Sequence, residues 1–241
     1  MSIDLDRITH PLRLASGSHQ PGSGKGCAMN VISYINGDTR ITDYPECSAR
    51  PLASIVQMVN DQLAGPDGFL SPENGLIVLD LGWATVGTAT DSDALHALWI
   101  AEVLTNPEWG VVRFADERGA QAIRDIAELH RKSAVGEVKF AWKAYAARSA
   151  AWSAAWSAAW SAAWSAAWSA ARSAAWSAAG SAAGSAAGSA AGSAAWSAAE
   201  SAALVDFTRN AIQAWRDLME LDTPTDITTE AVDAALVRIH A

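Results

Sequence analysis

The chain has 241 residues, a formal net charge of −9 and only two cysteines, Cys27 and Cys47. Two cysteines are too few for a disulfide framework, and an acidic chain without a basic stripe is not expected to grip nucleic acid through its phosphates. The N-terminal stretch MSIDLDRITHPLRLASGS has acids where a signal peptide has bases and lacks an apolar run, so an intracellular protein with reduced thiols is expected.

Residues 15–26 (ASGSHQPGSGKG) read as a Gly/Ser-rich loop. The apolar stretch CAMNVISYING follows, expected as a short helix ended by Asn36-Gly37, and then a turn-rich segment, Asp38 to Pro51. Leu52, Ile55, Val56, Val59 and Leu63 recur at helical spacing, with Pro51 in the first turn and Gly65-Pro66 past the end. The run LIVLDL at 76–81, rich in branched residues and flanked by Gly75 and Gly82, is the best strand candidate. Asp91 or Ser92 can cap a helix running to about Thr105, which Asn106-Pro107 stops. Trp109 to Phe114 is a short strand or a linker. Asp116 to Ser133 reads as an amphipathic helix with Ile123, Ile126, Ala127 and Leu129 on one side, and Gly136 marks a break.

Residues 149–204 are a tandem array of the tetrapeptide Ser-Ala-Ala-X. Its X positions are Trp152, Trp156, Trp160, Trp164, Trp168, Arg172, Trp176, Gly180, Gly184, Gly188, Gly192, Trp196, Glu200 and Leu204. Ala is the best helix former and is depleted in strands, so a helix is favoured over a silk-like strand in which Trp and Ala alternate. Four residues turn an ideal helix about 400°, so each Trp sits roughly 40° past its predecessor and no single flat partner covers the stripe. A repeat longer than 3.6 residues per turn favours right-handed coiling around a partner, or division into shorter helices. The glycines at 180–192 are the place for such a division, because each costs about 1 kcal/mol relative to Ala inside a helix. Six tryptophans between 152 and 176 call for an apolar partner, since each ring can bury about 150 to 250 Å². A spacer grown by slippage is the plainer alternative.

Residues 173–199 carry no charge and are long enough to cross a bilayer, and their glycines form GxxxG steps. The stretch has no Leu, Ile, Val or Phe, however, so a membrane role is not expected. Lys139, Lys143 and Arg148 before the array read as a solvated helix face. The helical pattern continues through Val205, Phe207, Ile212, Trp215, Leu218 and Leu221; Pro224 punctuates it, and a last helix is expected from about Thr228 to Ile239.

Candidate chemistry is confined to the N-terminal part. His19, Cys27 and Cys47 could supply three of the four ligands that zinc takes, with Asp43 or Glu46 as the fourth, although neither Cys belongs to a CxxC pair. The same residues fit two buried, reduced cysteines and a loop histidine. Cys27 with His19 as a nucleophile pair is weaker, because sequence proximity does not establish geometry. The Gly22-to-Gly26 run lacks the full phosphate-loop pattern and follows no strand. His96, His130 and His240 fall on expected helices as surface or half-buried residues.

The segment LASGSH-x7-CAMNVISYINGD-x4-DYPEC resembles the N-terminus of small proteins carried by bacteriophages of actinobacteria. The stretch from Trp99 to Glu137, followed by an Ala-rich segment, resembles immunity-protein domains of the Imm5-like type. These resemblances imply a bacterial host cytoplasm and supply no functional residue.

The expected fold is mainly α with a small α/β N-terminal part and a long Ala-rich helical array. Its expected organisation is a globular domain at 1–135, the array at 137–221, possibly broken at 180–192, and a C-terminal helix at 226–241. The expected function is a non-enzymatic structural or interaction protein, its interaction residues being the tryptophans from Trp152 to Trp176 and the four glycines. Self-association or a protein partner is expected and no cofactor, with a zinc-binding regulator or small enzyme built on His19, Cys27 and Cys47 as the alternative.

Overall fold

A computed structural model describes residues 7–20, 22–137 and 187–240. The protein is mainly α-helical. The chain divides into two compact units, one formed by Met1–Asp91 with Thr208–Ala241 and the other by Ser92–Phe207.

In the first unit, α1 (Ala28–Asn36) is central and packs against α2 (Arg50–Gln62), α3 (Pro72–Ala84) and α7 (Thr229–His240). Every residue from Ala28 to Ser33 is buried, so this short helix has no solvent face over its first six residues. Gly37 ends it in the left-handed conformation, φ 79°, with Asp38 N–H reaching back to the Ser33 carbonyl at 3.1 Å. Helix α2 starts with Pro51 in its first turn, as its spacing predicts.

The expected strand at 76–81 is instead the middle of α3. Ser71 caps this helix, its Oγ accepting the Asn74 N–H at 3.2 Å, and Pro72 occupies the first turn. Val78, Leu79 and Leu81 are fully buried. A helix covered on several sides loses the 3.6-residue polar alternation, and a short apolar run then reads as a strand. The flanking glycines are close-approach points. A Cβ on Gly82 would stand 3.1 Å from Ile32 Cγ1 and 3.4 Å from Met29 Sδ, which is how near α3 comes to α1. Among the described residues, extended pairing is limited to two isolated antiparallel bridges, Ala15 with Phe69 and Ser48 with Val86. The α/β character expected of the N-terminal part is therefore absent from the described residues.

Thr208, Ala211, Ile212, Trp215 and Arg216 of helix α6 (Ala187–Leu218) are buried in this unit. Trp215 is fully buried and its Nε1–H donates to the Thr88 carbonyl at 3.1 Å. Arg216, 6% exposed, donates to the carbonyls of Ala84 (3.2 Å), Val86 (3.0 Å) and Asp222. Burial holds its guanidinium below the usual arginine pKa, opposed by the nearby Asp222 carboxylate. The N-terminal segment is tied to α7 by two carboxylates, Glu230, which pairs with Arg7, and Asp233. Asp233 accepts the Thr9 N–H and hydroxyl, both at 2.8 Å, and the His10 N–H at 3.0 Å.

In the second unit, α4 (Asp93–Thr105) packs on α5 (Glu117–Ala134), with a 3₁₀ turn, Val111–Phe114, against both. That turn occupies the segment expected as a short strand or linker. Ser92 and Asp116 cap the two helices, accepting from Leu95 N–H (3.2 Å) and Gly119 N–H (2.7 Å). Asn106 closes α4, its Oδ1 accepting the N–H groups of Glu108 and Trp109. Trp109 meets Phe207 edge to face, ring centroids 5.9 Å apart. On α5, Ile123 and Ala127 are buried as expected, but Leu129 is 47% exposed and does not share their face. Two residues on from Ala127 is about 200° around a helix, which turns Leu129 outward.

The repeats from Ala187 to Leu204 lie in the uninterrupted helix α6, which runs through Gly188 and Gly192. The array from 149 to 186 lies outside the described residues, as does the basic run before it. Among the described residues no helix is long and apolar enough to cross a membrane.

Candidate functional site

The expected metal ligands sit in three different local settings. Cys27 precedes α1 and its backbone N–H donates to Asn30 Oδ1 at 3.0 Å, satisfying a group that a helix start leaves open. Asn30 in turn donates to Asp43 Oδ1 at 2.9 Å, and the Cys27 thiol points at the same oxygen from 3.5 Å. Asn60, also buried, accepts from Ala28 N–H and donates to the Ala15 carbonyl at 2.9 Å. The result is a satisfied polar knot that pins the loop at Asp43 and the strand-like segment at Ala15 to the start of α1. Burial first, and then the Asp43 carboxylate, push the Cys27 thiol up to about 12. It is a neutral thiol there, and the thiolate is the form that attacks or ligates.

Cys47 stands apart from that knot in its bonding. Its carbonyl accepts from Gly87 and Ala89 N–H, and its Sγ lies 3.7 Å from Ser48 Oγ. Burial raises its thiol pKa too. His19 places Nε2 3.4 Å from the Ala15 carbonyl. Among the described residues no group of three or more His, Cys, Asp or Glu side chains is arranged to hold a metal ion. Of the expected interaction residues, Trp152, Trp156, Trp160, Trp164, Trp168, Trp176, Gly180 and Gly184 lie outside the described residues, while Gly188 and Gly192 are within α6.

The first unit also carries a cleft of about 560 Å³ that sequence reasoning did not anticipate. Pairing of the chain at Leu14–Ser16 with Gly68–Leu70 builds it: Leu70 N–H donates to the Leu14 carbonyl at 2.9 Å and Ser16 N–H to the Gly68 carbonyl at 3.0 Å. That pairing sets Arg13 over Phe69, with Cζ 3.7 Å from the ring centroid, and brings Lys25 Nζ to 5.5 Å. Arg13 also donates to Asp67 Oδ2 at 3.3 Å, and Asp67 Oδ1 accepts the Phe69 N–H at 3.1 Å. Those bonds, the backbone one foremost, hold the Asp67 carboxyl below its usual range. The walls are largely apolar, with Leu12, Leu63, Leu70, Pro11 and Pro72 among them. Only the helix stop at Gly65-Pro66 was visible in the sequence; the meeting of Arg13 with Phe69 depends on long-range pairing. No protein-family model, curated protein or solved structure matches the chain.

Proposed function

We propose that this chain is a non-enzymatic structural or interaction protein of the phage-borne kind its N-terminal segment resembles, acting in the cytoplasm of a bacterial host. In this proposal the Trp-bearing Ser-Ala-Ala-X repeat mediates self-association or the binding of a protein partner. One observation carries it: Trp152, Trp156, Trp160, Trp164 and Trp168 stand four residues apart between small residues, and Trp176 keeps the same register two repeats further on. Six such rings offer on the order of 1,000 Å² of apolar surface, above the roughly 300 to 600 Å² of the largest patch on a typical monomer. The spacing also rotates successive rings around a helix, so that partners on more than one side are needed to cover them. The helical state of the last repeats, Ala187 to Leu204, supports treating the tetrapeptide as a helix former.

Light scattering on the purified protein, beside a Trp152/Trp156/Trp160→Ala variant, tests this. The parent is expected to associate with rising concentration or to retain a partner, and the variant to lose that behaviour. A monomeric parent whose stability and contacts are unchanged by the triple substitution refutes the proposal.

A further inference from the structure

We infer that Asn36 is a site of spontaneous modification, losing its amide by ring closure with Gly37, while the fold keeps the chain's other Asn-Gly pair, Asn74-Gly75, inert. The chemistry is common to both pairs. A base takes the proton from the glycine N–H, and the nitrogen attacks the asparagine side-chain carbon. The carbon–nitrogen bond of the carboxamide then breaks and ammonia leaves. Water opens the resulting cyclic imide at either carbonyl. One opening gives Asp; the other gives an isoaspartyl link whose main chain runs through Cβ. Each product carries a new negative charge, and nothing is oxidised or reduced.

Ring closure needs a side-chain amide that can move, a glycine N–H released from its hydrogen bond, and room for the backbone to turn. Asn36 is the last residue of α1, and both it and Gly37 are exposed. A Cβ on Gly37 would meet no neighbouring group within 4 Å. The Gly37 N–H is held by the Tyr34 carbonyl at 3.1 Å, in a terminal helix turn, and such turns open at small free-energy cost. Asn74 differs on each count. Its Nδ2 donates to the Leu63 carbonyl at 2.9 Å, and the Gly75 N–H donates to the Ser71 carbonyl at 2.8 Å. Gly75 is buried, and a Cβ on it would stand 3.2 Å from Leu12 Cγ. Turning that peptide requires α3 to part from the buried Leu12, so it waits on a much larger opening.

The modification acts on Asp38. Its Oδ1 accepts from Asn36 Nδ2, and its Oδ2 accepts from Ser33 Oγ at 2.7 Å and from the Glu46 N–H at 3.3 Å. Ser33 Oγ also accepts the Thr42 N–H at 3.1 Å, so these two side chains hold the loop 38–46 to the end of α1. An acid at position 36 replaces a donor to Asp38 with a like charge, and an isoaspartyl link lengthens the cap. Conversion of Asn36 therefore loosens the loop.

The full-length protein is aged at mildly alkaline pH, in native buffer and in urea, and peptide mapping by mass spectrometry follows the amide-to-acid mass change. In native buffer Asn36 is expected to convert about tenfold or more faster than Asn74, and in urea the two rates should converge. Equal native rates, or a native Asn36 that persists while the urea-unfolded one converts, overturns the inference. So does an Asn74 that lags as far in urea, because the fold would then not be its protection. Hydrogen exchange of an Asn36→Asp variant reads the consequence. Faster exchange of the Thr42 and Glu46 amides than in the parent is expected, and unchanged exchange overturns the loosening of the loop.

Discussion

Arg216 is a buried cation whose hydrogen bonds end on carbonyl oxygens of Ala84, Val86 and Asp222, and replacing it by Met weighs two large opposed effects. The substitution removes a guanidinium whose desolvation is costly, which by itself stabilises the folded state. It also leaves carbonyls without donors. Asp222 is exposed, so water can replace the lost bond there; Ala84 and Val86 are only half-exposed, and Thr85 between them is buried. Two under-satisfied carbonyls at about 1 to 3 kcal/mol each give roughly 2 to 6 kcal/mol, and relief of the buried charge offsets part of it. The expected net loss is about 2 to 3 kcal/mol. Arg216→Lys keeps the charge but cannot span three acceptors with a single ammonium, and about 1 to 2 kcal/mol is expected. Urea unfolding followed by circular dichroism measures both variants. An Arg216→Met protein within about 0.5 kcal/mol of the parent would refute the reasoning, since desolvation would then cancel all that the fork contributes.

The two thiols are expected to react in order. At pH 8 an alkylating reagent should modify the partly exposed Cys47 first and reach Cys27 only under denaturing conditions, as mass spectrometry of the labelled peptides would report; equal rates would contradict the buried, neutral state of Cys27. Hydrogen bonds from Thr9 and His10 hold the Asp233 carboxyl below its usual pKa. A depressed folded-state pKa stabilises above the unfolded value and stops doing so as pH falls through the folded one. Asp233→Asn should therefore be less stable than the parent at pH 6, and the gap should close below about pH 4; a gap independent of pH would count against the contact. In the second unit, a Cβ on Gly110 would lie 2.5 Å from the Asn106 carbonyl oxygen and 2.6 Å from its nitrogen. Backbone cannot swing aside as a side chain can, so Gly110→Ala should cost about 2 kcal/mol or more, read as a lowered thermal midpoint.

Helix limits were legible because they are written in residues that act locally. Ser92, Asp116, Pro51 and Gly37 work through their own side chains or backbone freedom within one turn, and all four mark ends where expected. The local code failed where burial replaced it. Leu76 to Leu81 carries strand-favouring residues, yet Ser71 and Pro72 start a helix there, and packing on α1 and α2 accounts for its apolar run. Leu129, expected on one side of the helix with Ile123, Ile126 and Ala127, points outward because helix geometry places it on another side. His19, Cys27 and Cys47 are near in sequence, but each is tied to a different neighbour, so chain proximity did not translate into a shared site among the described residues.

The sequence by itself determined the helical class, most of the helix ends and the chemistry of the repeat, because propensity, capping and periodicity are properties of a few neighbouring residues. Tertiary structure alone decided that Arg216 is buried on carbonyls, that Cys27 is a protonated thiol within a polar knot and that Arg13 covers Phe69 beside a cleft. Each of those depends on contacts between residues far apart along the chain, and their energies arise only when folding removes the groups from water.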